Sequence, residues 1–162
     1  MLPARNILLS SGDQELLRYC KISFTKGTGP GGQKRNKTSS AVQIELPELN
    51  LSAQDCTERS QIRNRENALQ KLRMEIAFLC RISPAVPPET MECSLNSPRY
   101  PLFAAQLLDV FADSKCDPRL TAEKCGVSPT ALLKKLHRDP HLWQYIQKMR
   151  ISADLHKLNP PS

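Results

Sequence analysis

The sequence predicts an α+β protein: a small domain built from a short β-sheet, an exposed glycine-rich loop and a long helix, followed by an all-helical module. Three observations carry this reading. Residues 41–46 alternate apolar and polar side chains as a half-buried strand does. Residues 58–83 contain neither Gly nor Pro and read as one long helix. Everything beyond Pro101 follows helical periodicity. The implied division is 1–82 for the mixed domain, 83–101 for a linker and 102–162 for the helical module.

Along the chain, Asp13 opens a short helical turn that runs toward Cys20, and the alternation at Tyr19, Ile22 and Phe24 marks a brief strand. Four glycines and Pro30 within residues 27–32 exclude a regular element and demand a permissive loop. The strand over 41–46 ends at Pro47, and residues 51–57 return as a weaker second strand of a hairpin. In the long helix, Ile62, Leu69, Leu72, Ile76 and Leu79 recur at near-heptad spacing as the packing face, with Arg59, Arg63, Arg65, Lys71 and Arg73 mostly on the others. Pro84, Pro87, Pro88, Pro98 and Pro101 make residues 83–101 a linker, which predicts relative mobility of the two parts. Further helices are expected near 102–112, 120–125, 129–137 and 142–156. Trp143 and Tyr145 fall in a helical apolar pattern and are expected in the core rather than as base-stacking platforms.

Lys and Arg outnumber Asp and Glu by 23 to 16, a net charge of +7, which favours a polyanionic partner. The six cysteines are scattered without the spacing of a zinc or redox motif, so no metal or cofactor is expected. No signal peptide and no membrane span are apparent, and a reducing cytoplasm is implied. Arg5 and Arg18 are balanced by Asp13 and Glu15, which speaks against a mitochondrial presequence.

The segment from Thr25 to Thr38 combines the glycine-rich turn with one amide side chain, Gln33, and with Lys26, Lys34, Arg35 and Lys37. No acid interrupts it, and the Gly-Lys-Ser/Thr ending of a phosphate-cradling loop is absent, which excludes an ATPase of that type. Gly29-Pro30-Gly31-Gly32-Gln33 with Asn36-Lys37-Thr38 resembles the Gly-Gly-Gln signature of class I peptide release factors. The resemblance covers roughly residues 14–80, because a strand like 40–46 and an Arg-Ser-Gln element opening a basic helix, here Arg59-Ser60-Gln61 with Asn64-Arg65, follow in the same order.

The resemblance implies hydrolysis of the peptidyl-tRNA ester within the ribosome. Gly31 and Gly32 would admit a close backbone approach, the Gln33 backbone N–H would bond the transition state or the departing ribose hydroxyl, and the Gln33 side chain would shape the pocket for water. The segment 25–44 has no His, Cys, Asp or Glu to act as general base or nucleophile, so the peptidyl-transferase centre and the tRNA must complete the site. In the family this Gln is methylated, which makes Gln33 a candidate for N5-methylation. Lys26, Lys34, Arg35, Asn36, Lys37, Arg59, Arg63, Arg65 and Arg73 are then expected to contact rRNA or tRNA, whereas Lys71 and Glu66 read as ordinary solvated charge.

These residues offer no room for a stop-codon-reading domain, so codon-independent release, as in ribosome rescue, is expected. The tail 152–162 carries only Lys157 and His156, unlike the Lys- and Arg-rich tail of some rescue factors. Residues 120–136 resemble a helix-turn-helix, with Ala122, Gly126, Val127 and Leu132 at core positions and Lys134, Lys135 and Arg138 on the second helix. A three-helix packing module accounts for the same residues. The module's contact, RNA or a ribosomal protein, stays open. The competing reading is a helix-turn-helix nucleic-acid-binding adaptor on the ribosome without hydrolytic activity, and a third keeps the chemistry on a split large subunit.

Overall fold

The computed structural model describes residues 1–25 and 41–161. It forms two compact units, Met1–Ile76 and Ala77–Ser162. Among the described residues the order is α1 (Arg5–Ser10), α2 (Asp13–Leu17), β1 (Lys21–Thr25), β2 (Ala41–Leu46), a 3-10 turn (Pro47–Leu49), β3 (Leu51–Asp55), α3 (Gln61–Leu79), α4 (Tyr100–Asp113), α5 (Pro118–Lys124), α6 (Pro129–His137) and α7 (Pro140–Ser152). The class is α+β, with helices alone in the C-terminal part.

In the first unit the three strands form an antiparallel sheet in the order β1-β2-β3. The alternation of β2 buries Val42, Ile44 and Leu46 completely, as the period of two requires. Ile44 sits opposite Ile22 on one side and Ala53 on the other, so the apolar row continues across all three strands. Between β2 and β3 the reversal uses Pro47 at the first turn position and Asn50 in the left-handed region at φ 53. Both residue types suit a tight turn for that reason.

The part of α3 within this unit buries Ala68, Leu69, Leu72 and Ile76. Ile62 and Leu79, expected on the same face, are instead 66% and 53% exposed. The helix repeats every 3.6 residues, so a stripe read at 3.5 drifts off the packed face toward its ends. Helix α1, which the sequence pattern did not indicate, contributes Leu8 and Leu9 to the core, and α2 contributes Leu16.

Arg73 ties these pieces together. It is only 3% exposed and donates to the carbonyls of Leu8 at 2.9 Å and Ser11 at 2.8 Å, with a longer bond to Leu9 and an ion pair to Asp13 at 3.1 Å. The last carbonyls of a helix have no partner within it, and the guanidinium fork supplies one for the end of α1. The expectation that Arg73 faces RNA is therefore corrected: its charge is taken up inside the fold.

In the second unit, residues 83–99 contain no helix or strand. Glu92 of this segment pairs with Lys135, and the Cys93 carbonyl accepts from Arg138. Helix α4 is buried around nearly its whole circumference, with Phe103, Leu107, Leu108, Val110 and Phe111 in the core. Each later helix opens on a capping side chain followed by proline: Asp117-Pro118, Ser128-Pro129 and Asp139-Pro140. The cap oxygen accepts orphan N–H groups, and proline has none to lose at that position. Helices α5 and α7 consequently start two residues before the expected Leu120 and Leu142. Asp139 also accepts from the buried Tyr100 hydroxyl at 2.8 Å. Burial, then that bond, pushes the Tyr100 phenol well above its ordinary range.

Trp143 and Tyr145 are partly buried, as expected for packing residues. Tyr145 stacks on Phe78 and Trp143 meets His137 edge-on. In the segment resembling a helix-turn-helix, Ala122, Leu132 and Leu136 are fully buried, Gly126 takes φ +67, and the Val127 N–H bonds the Ala122 carbonyl. A positive φ at that corner is the reason for glycine there.

Candidate functional site

The residues of the Gly-Gly-Gln segment, Lys26, Gly31, Gly32, Gln33, Lys34, Arg35, Asn36 and Lys37, lie outside the described residues. What the structure defines is the frame on which residues 26–40 are strung. Thr25, the last residue of β1, is paired with Ala41, the first of β2. Segment 26–40 therefore begins and ends on two hydrogen-bonded strand ends. One position further in, Phe24, Val42 and Asp55 stand directly opposite one another across the three strands. The end of β3 is thus at the same end of the sheet as both roots of the segment, and the chain passes from Asp55 to the start of α3 there.

Asp55 organises this end. It is 3% exposed and accepts from Lys71 Nζ at 2.6 Å, the Thr57 hydroxyl at 2.8 Å, Asn67 Nδ2 at 3.2 Å and the Thr57 backbone N–H at 3.3 Å. Burial opposes its ionisation, but the bonds from Lys71, Thr57 and Asn67 outweigh it and hold the carboxyl down at about 2. Because opposed residues in a ladder share a face, Asp55 also marks the face of Val42 as the one that receives α3 through Asn67 and Lys71. Lys71, expected as solvated charge, is exposed, and its ammonium also pairs with the buried Asp55 and donates to the Gln54 carbonyl.

A second fastening holds Glu58, three residues after Asp55. Asn64 is fully buried; its Oδ1 accepts from the Glu58 N–H at 2.8 Å and its Nδ2 donates to the Glu58 carbonyl at 2.9 Å. Ser60 Oγ accepts from the Arg63 N–H at 3.4 Å, and the Ser60 carbonyl accepts the Asn64 N–H, so Ser60 opens α3 as a cap. Arg59 and Arg63 are exposed and Arg65 half-buried. No carboxylate pairs with any of the three among the described residues.

Of the remaining expected RNA contacts, Lys135 and Arg138 are engaged by the 83–99 segment, whereas Lys134 is exposed. Burial raises the thiols of Cys20, Cys116 and Cys125, the opposite of what a reactive thiolate needs. Among the described residues no cluster of His, Cys, Asp or Glu could hold a metal ion, and no helix is long and apolar enough to cross a membrane. Sequence reasoning missed Asp55 and Asn67. A lone acid at the end of a weak strand has no local mark that distinguishes it from surface charge, since its partners come from α3.

Comparison with known proteins bears on the same segment. Residues 17–86 match the family model of the RF-1 domain. The chain is 41% identical over 56 residues to peptide chain release factor 2 of Lactiplantibacillus plantarum and 42% identical over 57 residues to peptide chain release factor 1 of Symbiobacterium thermophilum. Each alignment covers 35% of this chain but only 15% and 16% of the respective relative, so one domain is shared and not the length of either protein. Residues 17–86, which carry the Gly-Gly-Gln sequence between β1 and β2 and the basic opening of α3, are thus similar to the RF-1 domain that peptide chain release factors share.

Proposed function

We propose that the chain is a ribosome-dependent, codon-independent peptidyl-tRNA hydrolase that acts in the cytoplasm on stalled ribosomes. One observation supports the reading: within the RF-1 match, the Gly-Gly-Gln sequence falls between Thr25 and Ala41, which are paired strand ends, and Arg59, Arg63 and Arg65 at the opening of α3 have no carboxylate partner among the described residues. Gly31, Gly32 and Gln33 present backbone donors to the developing oxyanion, and Gln33 is the methylation candidate. Lys26, Lys34, Arg35, Asn36 and Lys37, with Arg59, Arg63 and Arg65, hold phosphates of rRNA and tRNA and position the segment without reading sequence. The RNA supplies the proton transfers.

The adaptor reading needs a cationic second helix in the C-terminal module. Glu92 already neutralises Lys135, and Arg138 donates to a backbone carbonyl, which leaves Lys134 as the expected contact on α6 with an exposed, unpaired charge among the described residues. That is thin support for nucleic-acid binding by this helix.

The test is release of labelled peptide from ribosomes programmed with a stop codon, a sense codon or a truncated message in the A site. Comparable release in the stop and sense arms supports codon independence, and preference for truncated message supports rescue. Release confined to the stop-codon arm would overturn the codon-independent part, and ribosome binding without release in every arm would favour the adaptor.

A further inference from the structure

Resting on the proposed ribosomal reading, we infer that Asn64 is a positioning residue that sets Arg59 against an RNA phosphate. Arg59 stands outside α3, in the short connection between Asp55 and the helix start, where a chain without secondary structure would let a long side chain wander. Asn64 narrows that freedom by fixing the backbone from which Arg59 departs. Its one amide engages both the N–H and the carbonyl of Glu58, the residue before Arg59, as a neighbouring strand would. Both bonds are short and the side chain is completely buried, so breaking either leaves backbone groups without partners.

The fastening is continuous with the root of the Gly-Gly-Gln segment. Ala41 is the first residue of β2, the next residue, Val42, is paired with Asp55, and Asp55 holds Thr57 through both its hydroxyl and its N–H. Glu58 follows and is held by Asn64. Hydrogen bonds or covalent links thus run without a gap from the strand that receives the segment to the residue before Arg59. Contact between Arg59 and a phosphate then fixes the placement of that strand end, and the arrangement is made in advance of binding rather than at its expense.

The experiment is a double-mutant cycle on the full chain with Asn64→Ala, the milder Asn64→Ser and Arg59→Ala, reading ribosome binding across a salt series. Each phosphate contact contributes about 0.7 to 0.9 to the logarithmic salt slope. Arg59→Ala is expected to flatten the slope by about that much and weaken binding by about tenfold, as for a charged hydrogen bond. The Asn64 variants are expected to weaken binding several-fold, flatten the slope in the same direction, and add nothing in the Arg59→Ala background. A merely structural Asn64 would lower stability and leave the slope alone.

Unchanged slope in Arg59→Ala, or an Asn64 effect that persists in the Arg59→Ala background, overturns the inference. Should Asn64→Ala fail to fold, Asn64→Ser and Arg59→Ala still decide it. Release by Gln33→Ala at the wild-type rate would strike the hydrolase reading while leaving this binding cycle interpretable.

Discussion

Removing the charge of Asp55 while keeping its shape is the sharpest probe of the frame. The folded carboxyl lies at about 2 against an ordinary value of 3.8, which corresponds to about 2 kcal/mol in favour of the folded state when the group is ionised. Because the folded value is the lower one, this stabilisation is fully present above about pH 4 and is lost as pH falls through about 2. Asp55→Asn should therefore be less stable than wild type by about 2 kcal/mol at pH 7, and the gap should close between pH 4 and pH 2. Urea unfolding followed by circular dichroism at pH 7, 4 and 2 measures it, since the other carboxyl groups titrate alike in both proteins. A gap that stays constant down to pH 2, or one below about 0.5 kcal/mol at pH 7, would refute the claim that the bonds from Lys71, Thr57 and Asn67 outweigh burial.

Two further outcomes follow from particular residues. Arg73→Lys keeps the charge but cannot reach the carbonyls of Leu8 and Ser11 together with Asp13, so it should cost about 2 to 3 kcal/mol in denaturant unfolding while leaving the salt slope of ribosome binding unchanged. Lys115 follows α4 at φ 53, with the Cys116 N–H bonded back to the Phe111 carbonyl as in a helix-ending turn. Lys115→Gly should raise stability by about 1 kcal/mol in the same assay, and a loss of stability would contradict the strain argument.

The parts of the fold legible in the sequence are those fixed by local pattern. The alternation of Val42, Ile44 and Leu46 marked β2, and the stretch free of Gly and Pro marked α3. Prolines gave mixed information. In residues 83–99 they do coincide with irregular chain, yet at Pro118 and Pro140 the same residue type opens helices behind Asp caps, and the expected starts fell two residues late. Helix α1 was illegible because its cap, Ala4, offers no side-chain bond and its far end is held by Arg73 from α3. The same non-local logic hid Asp55 and gave Arg73, which is buried against α1, the reading of an RNA contact. The reading of the Gly-Gly-Gln segment rests on its order of residues, and the structure adds that Thr25 and Ala41, which flank residues 26–40, are paired strand ends.

The most direct measurement of the central claim is the single-turnover rate of peptide release from ribosomes bearing peptidyl-tRNA, compared for wild type, Gln33→Ala and Gly32→Ala at saturating protein. The hydrolase account predicts ready release by wild type and a rate reduced by about a hundredfold or more in both variants, the scale expected for losing a preorganised oxyanion donor or its close approach, with ribosome binding retained. Release at equal rates in all three, or binding by wild type without any release, would contradict it.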